Sequence, residues 1–420
     1  MRTFPKITIT QKGADLLRGG HVWVYADEVT AIDGTPNNGE SDREAHGGIT
    51  DGDLTDVYSP KGRYLGTGFY NSHSKIRVRV VSKNANDRFD EAFWERKLRW
   101  AIDYRRRVMG DDFSCCRLIF GEADAFPGLT VDRFGDVLVT EVLSLGIERI
   151  KGMLYRLLVG LLREEFGVNV SVLYERNDSP LRVREGMDTG SGFYAGMGLS
   201  TDTDGRCRIV ENGVEYEVDY VNGQKTGFFL DQKYNRAAIR KIAKGARVLD
   251  CFTHTGSFAL NAAQAGASHV TAVDISADAL EIARRNAEIN GLSDRMDFVC
   301  SDVFDYLTAA ASAPAFDYDL VILDPPAFTK SRDTLRNAIK GYREINRRAM
   351  QLLRRGSYLA TCSCSHFMTE TYFRQMLHNA AEDAGVGLRQ IEARQQSPDH
   401  PILWNVPETD YLKFYIFQIV

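Results

Sequence analysis

Alternation and helical spacing divide the chain into stretches of different kind. Residues 1–82 carry short runs of period two, at 6–10, 21–25 and 75–81, separated by Gly, Asn and Asp, which predicts a small all-β module. The acidic, glycine-rich piece 33–53 reads as an exposed loop within it. Over 88–109, Phe93, Leu98, Trp100 and Ile102 interleave with Arg and Lys, and a second helix is expected over 150–166, between strands at 137–142 and 168–174. The polar run 196–206 reads as a linker. Beyond it strands are expected at 247–252, 269–274, 296–300, 319–323, 357–362, 388–393 and 413–420. Helical spacing fills 256–266, 277–290, 303–311, 335–355 and 369–385 between them. That alternation predicts a parallel, doubly wound sheet. The expected organisation is an all-β module at 1–82, a middle α/β domain at 86–196 and an α/β domain at 206–420.

Composition narrows this picture. The 420 residues are 44% hydrophobic and 26% charged, which suits a globular chain of more than one domain and excludes a disordered or collagen-like one. No apolar run approaches the ~20 residues of a spanning helix, so no membrane association is expected. The first residues, MRTFPKITITQKG, lack the apolar stretch of a secretory leader. Seven cysteines, an odd number, suit a reducing compartment, and a cytoplasmic protein is expected. The net charge of -5 means that nucleic-acid binding has to rest on local patches.

In a doubly wound sheet, ligands bind beyond the carboxyl ends of the strands. The first strand is followed by Asp250-Cys251-Phe252-Thr253-His254-Thr255-Gly256, and the second closes on Asp274. Ser301-Asp302 follows the third strand, and Asp324-Pro325-Pro326-Ala327-Phe328 the fourth. Gly256 lets backbone approach a ligand, Asp274 suits a ribose diol, and Asp302 can accept from an exocyclic amine. One glycine in place of G-x-G-x-x-G leaves little to wrap a pyrophosphate, and the carboxylates repel an anionic dinucleotide. A cationic sulfonium cofactor, S-adenosylmethionine, is expected. No metal site is expected. The plainer alternative makes Asp250 and Asp302 loop or N-cap residues. In the Asp-Pro-Pro turn, prolines without N–H groups stiffen the loop, and Phe328 offers a face for a flat base. The alternative there is a rigid turn with a core Phe.

The fifth strand ends in Thr361-Cys362-Ser363-Cys364-Ser365 beside the Asp324 turn, and a helix is expected from about Thr369. A thiol before a helix N-terminus has its thiolate stabilised. Methylating carbon 5 of a pyrimidine needs such a nucleophile at carbon 6, with an acid near N3 that Asp324 could supply. The alternative treats both thiols as small apolar packing groups. The two are read as aiming to opposite sides, so that one serves.

These residues resemble the ribosomal RNA large subunit methyltransferase I family. Gly20-His21-Val22-Trp23-Val24-Tyr25 resembles its PUA RNA-binding domain, a small β-barrel, and Gly121–Leu129 its α/β connecting domain. Gln224–Gln232, Asp324-Pro325-Pro326, Ser363-Cys364-Ser365 and Asp399-His400-Pro401 resemble further family motifs. The resemblance implies a class I, Rossmann-like methyltransferase domain making 5-methylcytosine in 23S rRNA, with Cys364 as nucleophile and Asp324 as catalytic partner. Cys362 is then packing. The chain departs from two-cysteine 5-methylcytosine enzymes in carrying Ala327 after Pro-Pro, with no second thiol there. The implied cofactor contacts are Gln232, Asp250, Phe252, Thr253, Thr255, Gly256, Asp274, Ile275, Asp302, Val303, Asp324 and Pro325. Pro326, Phe328, Lys330 and Arg332 are the implied substrate contacts. A homodimer is a state the resemblance allows.

RNA would be gripped by shape and phosphate. Candidate contacts are Lys61, Arg63, Lys75, Arg77 and Arg79, the helical Arg96, Lys97, Arg99 and Arg105–Arg107, and Lys340, Arg343, Arg347 and Arg348. For each, a solvated charged face is the alternative. Charges within 1–80 cancel at 10 of each sign. Two rival functions are methylation of a base nitrogen such as guanine's, which needs no thiol, and a non-catalytic RNA-binding or ribosome-assembly factor.

Overall fold

The expected strands of the C-terminal half form one sheet, whose central members are continuous apolar runs buried on both faces and whose two edge strands, Met296–Cys300 and Leu388–Arg394, are partly exposed. The strands are β1 (Arg247–Cys251), β2 (His269–Asp274), β3 (Met296–Cys300), β4 (Leu320–Leu323), β5 (Tyr358–Ser363), β6 (Leu388–Arg394) and β7 (Lys413–Ile419). Helices α1 (Ser257–Gln264), α2 (Ala277–Ile289), α3 (Val303–Ala311), α4 (Leu335–Leu352) and α5 (Glu370–Ala384) connect them. The strand order is β3-β2-β1-β4-β5-β7-β6. β1 to β5 run parallel, and β7 is antiparallel to both neighbours. Chain order reverses between β1 and β4, which opens a crevice beyond their carboxyl ends. On α4, Ala338, Tyr342, Ile345 and Ala349 recur at helical spacing and join Val321, Leu323, Leu359, Phe373 and Met376 in one buried cluster. That cluster fixes the ends of β4 and β5, where the candidate chemistry lies.

The computed structural model describes residues 4–33, 35–36, 49–311, 317–329 and 331–420. Most of the acidic stretch 33–53, and Lys330, lie outside them. The chain forms two compact units, one of residues 1–207, 218–228 and 398–409, the other of 208–217, 229–397 and 410–420. Among the described residues no helix is long and apolar enough to cross a membrane.

The first unit holds two sheets. In the seven-stranded one, Lys6–Ile9 pairs parallel with Leu54–Tyr58 and antiparallel with Val29–Ile32. Helix Gln11–Arg18 contributes Ala14 and Leu17 to a core with Ile7, Ile9, Val24, Val57 and Val78. In the five-stranded sheet, Val137–Val142 runs parallel to Val172–Asn177, joined across helix Leu145–Glu164. That helix docks on strand Tyr64–Tyr70 through Gly146, where a Cβ would come within 2.1 Å of the Phe69 ring. Helix Glu91–Met109 is capped by Asp90, whose side chain accepts from the Phe93 amide.

Several expectations need adjustment. The strand expected from 168 starts at Val172, and the helix expected from 150 starts at Leu145. A hairpin of Arg206–Glu211 and Val214–Asp219 follows the linker run, although no strand was expected there. Its signal was present: Asn212-Gly213, both at positive φ (54° and 76°), is a tight-turn pair. Arg105, read as an RNA contact, is fully buried. It donates to the Asp124 carboxylate and to the carbonyls of Arg117 and Asp399.

In the second unit, Arg236 and Glu211 form an ion pair with almost no exposed surface. Arg236 Nε and Nη2 donate to the two Glu211 oxygens at 2.6 and 2.8 Å, and Nη2 also to the Phe229 carbonyl. Arg236→Met strands the Glu211 carboxylate in the interior, a loss of about 3–5 kcal/mol. The expected outcome is a clearly lower urea midpoint than wild type; an unchanged midpoint contradicts it.

Candidate active site

The loop after β1 is organised from beneath by Asp250. Its Oδ2 accepts from Thr253 Oγ1 at 2.6 Å and from the Ala259 amide at 2.9 Å. Asp250 is fully buried, and burial lifts its pKa to about 7. It therefore acts on the crevice through the loop it holds, the arrangement of the plainer alternative. Phe252 and His254 adopt positive φ (63° and 51°), an uncommon choice for side-chain-bearing residues, and Gly256 follows at 81°. A Cβ on Gly256 would meet that of Ala283 at 3.1 Å. Thr253 and Thr255 are buried, and Phe252 is partly exposed. Strain concentrated in these few residues marks the loop as one shaped for a ligand.

Asp274, at the end of β2, accepts from the amides of His254 (2.8 Å) and Ser276 (2.9 Å) and ties the two loops together. Beside it Ile275 is 71% exposed, an apolar face of the kind a base covers. Asp302 caps α3: its Oδ1 accepts from the amides of Phe304 (2.7 Å) and Asp305 (3.2 Å), while Val303 is buried. These carboxylates and the strained loop fit a cationic nucleoside such as S-adenosylmethionine, and among the described residues none of these carboxylates forms an ion pair with a Lys or Arg.

At the end of β4, Asp324 Oδ1 accepts from Gln232 Nε2 at 2.9 Å, and Gln232 Oε1 accepts from Asn235 at 2.6 Å. Burial, with the nearby Asp231 charge adding to it, raises Asp324 to about 6. Asp231 itself accepts from Tyr411 Oη at 2.7 Å. Pro325 is buried and Pro326 exposed. The Phe328 ring lies 4.6 Å from Tyr342, 6.2 Å from Phe304 and 6.4 Å from Phe252. The aromatic that follows Pro-Pro packs against α4 and remains partly exposed.

The pairing of β4 with β5 brings the Ser-Cys-Ser element beside this turn. Tyr342 Oη reaches Ser363 Oγ (3.1 Å) and Ser365 Oγ (3.2 Å) and pins the element on either side of the thiol. Cys364 is partly exposed, its Sγ 3.9 Å from the Pro325 carbonyl. Cys362 is fully buried, and burial followed by the Asp324 charge pushes its thiol well up. The expectation of opposite aims is corrected, since positions two apart on a strand share a face. Both thiols turn to the Asp324–Pro325 turn, and burial separates them. Helix α5 starts after Thr369, so Ser365–Met368 stand between Cys364 and the helix end. Sequence reading missed Asp231, Tyr342, Asn235 and Lys413; a lone Lys opening an apolar strand was the legible signal among them.

Several candidate RNA contacts are engaged internally. Arg79 pairs with Glu122 and Glu185, Arg96 with Asp87, and Arg99 with Glu95 and Glu165. Arg343 pairs with Asp383, and Arg347 and Arg348 with Glu344. Arg77 donates to the Asn71 carbonyl, and Lys97 is partly buried. Lys61, Arg63, Lys75, Arg106, Arg107, Arg332 and Lys340 are exposed, with no ion pair to a described residue.

The sequence pattern described as S-adenosylmethionine-dependent methyltransferase matches residues 182–417, and that of a PUA-like domain matches 7–83. A ribosomal RNA large subunit methyltransferase I of Pseudoalteromonas translucida is 38% identical, over 97% of this chain and 98% of its own. One of Escherichia coli is 36% identical, over 95% and 96%. A solved structure from Streptococcus mutans, assigned to the SAM-dependent methyltransferases, has a TM-score of 0.79 at 22% identity, covering 98% of this chain and 99% of that one. Fold and site thus define an S-adenosylmethionine-dependent methyltransferase carrying a PUA-like domain, with S-adenosylmethionine as its cofactor. Within that class, the chain belongs to the ribosomal RNA large subunit methyltransferase I family.

The raised Asp324 pKa has a stability consequence. A carboxyl at about 6 in the fold and 3.8 unfolded stabilises the protein below pH ~4, and that contribution is lost as pH rises through 6. Asp324→Asn keeps an acceptor for Gln232 without the charge. Its melting temperature relative to wild type should rise between pH 4 and 7, by the equivalent of ~1–3 kcal/mol, and level off above. A pH-independent difference contradicts the assignment.

Proposed function

We propose that the protein transfers a methyl group to carbon 5 of a cytosine in 23S ribosomal RNA, with Cys364 as nucleophile and Asp324 as acid. The observation that carries this reading is the partly exposed Cys364 thiol, 3.9 Å from the Pro325 carbonyl, at the turn whose Asp324 carboxyl is raised to about 6. Carbon 5 of cytosine is not nucleophilic until a thiolate adds to carbon 6; nitrogen carries its own lone pair and needs no such group. Family membership supports ribosomal RNA as the substrate, since the relatives carry that substrate in their names.

The Cys364 thiolate forms a bond to carbon 6, and the electrons of the 5,6 double bond move toward N3, which takes a proton from Asp324. S-adenosylmethionine, when bound, supplies an electrophilic methyl group to carbon 5. The carbon-5 proton then leaves to a base, and Ala327 stands where two-cysteine enzymes carry the thiol that assists release. The electron pair left at carbon 5 restores the double bond, expels the Cys364 thiolate, and N3 returns its proton to Asp324. A carboxyl near 6 suits this exchange, because it gives and regains a proton close to neutral pH. Tyr342 and the two serines hold the sulfur in place throughout.

Incubation with methyl-labelled cofactor and unmodified 23S rRNA, then nucleoside digestion and mass spectrometry, tests this. Wild type is expected to yield labelled 5-methylcytidine, Cys364→Ser to lose it by ~10³-fold or more, and Cys362→Ser to retain it. Labelled methylguanosine that survives Cys364→Ser overturns the reading in favour of nitrogen methylation.

A further inference from the structure

Lys413 is the one charged residue of β7, whose remaining positions are Phe, Tyr, Ile, Phe, Gln and Ile. The antiparallel register sets it opposite Ser363, the residue before Cys364. Its side chain is buried, with 6% of the residue exposed. Nζ donates to the carbonyl of Ser365, the residue after Cys364, and to that of Tyr411, each at 2.8 Å. Among the described residues no carboxylate stands within ion-pair distance of it. An ammonium taken out of water without a counter-ion is costly, and the low-dielectric surroundings that make it so also strengthen its pull on a neighbouring anion. Its contacts bracket Cys364 on both sides.

We infer that Lys413 is a positioning residue that stabilises the Cys364 thiolate; the inference rests on reading Cys364 as the nucleophile. Helix α5 is a weaker source of that stabilisation. Helix-end charge falls off within about a turn, and Ser365–Met368 intervene before Thr369. The charged and titratable groups around Lys413 are few. Asp410, in the segment before β7, accepts from Gln395; Glu370, at the start of α5, accepts from Tyr415 Oη. Tyr342, from α4, holds Ser363 and Ser365. Burial lowers Lys413 to about 8, while Asp410, Cys364 and Glu370 raise it. The amine thus remains mostly protonated at neutral pH, and its positive charge lowers the cost of forming the thiolate beside the carbonyl it holds. The thiol proton passes to solvent, and no other bond changes in this step.

The test needs neither RNA nor cofactor. The full-length protein and its Lys413→Met, Lys413→Gln and Lys413→Arg variants are alkylated with iodoacetamide between pH 5.5 and 9.5. Modification of Cys364 is followed by peptide mass spectrometry, which separates it from the exposed Cys300. The expected wild-type midpoint lies below the ~8.5 of a free thiol. Lys413→Met should raise it by about one unit or more, a rate at pH 7 about tenfold lower. Lys413→Arg should bring it back toward wild type. Lys413→Gln, which keeps donors for both carbonyls but no charge, should behave as Met does and serves if the Met variant fails to fold. A midpoint unmoved in the uncharged variants overturns the inference. Failure of the nucleophile reading shows separately, as full methylation by Cys364→Ser.

Discussion

Desolvated carboxyl groups at the switch point of the parallel sheet are the constraint on which the site depends. Asp250 and Asp324 end adjacent strands, and burial brings both into the range of pH 6 to 7. Asp250 spends its oxygen on the loop and so holds Phe252 and His254 in their strained conformation. Asp324 lies against the Cys362 thiol. Asp274 and Asp302 add acidity at the neighbouring strand ends while tying loop and helix. A pocket of this sign favours a sulfonium over a phosphate, and the burial that lifts Asp324 belongs to the same strand ends.

The same packing that surrounds Asp324 sets the Cys364 thiol. Tyr342 projects from α4 into the core, and its hydroxyl reaches both serines around Cys364. The apolar cluster of α4, α5 and the central strands therefore does more than stabilise the fold: it fixes the sulfur relative to the Pro325 carbonyl. Phe328 packs against that cluster as well and so stiffens the turn.

Much of this was legible in the sequence, and the misses share a reason. Strands with continuous apolar runs and helices at 3.6 spacing stand close to where periodicity places them, because those patterns report burial directly. Asp250, Asp274, Asp302 and Asp324 were legible because each closes a strand. Partners distant along the chain were not. Arg105, Arg343 and Arg348 look alike on paper, yet the first is buried against Asp124 and the others pair with Asp383 and Glu344. Cys362 and Cys364 were told apart by family resemblance; the fold supplies a physical difference, one thiol sealed against Asp324 and the other open. The hairpin at Asn212-Gly213 was missed although its turn signal was local.

The central claim is a covalent bond between Cys364 and carbon 6 of a cytosine. Its most direct test is an RNA substrate carrying 5-fluorocytidine, incubated with the protein and S-adenosylmethionine and examined by denaturing gel and peptide mass spectrometry. Fluorine cannot leave carbon 5 as the proton does, so the adduct cannot resolve. The account predicts a stable protein–RNA complex whose attachment maps to the peptide containing Cys364. A substrate methylated by the enzyme as cytidine, yet giving no covalent complex as 5-fluorocytidine or one mapped to another cysteine, would contradict it.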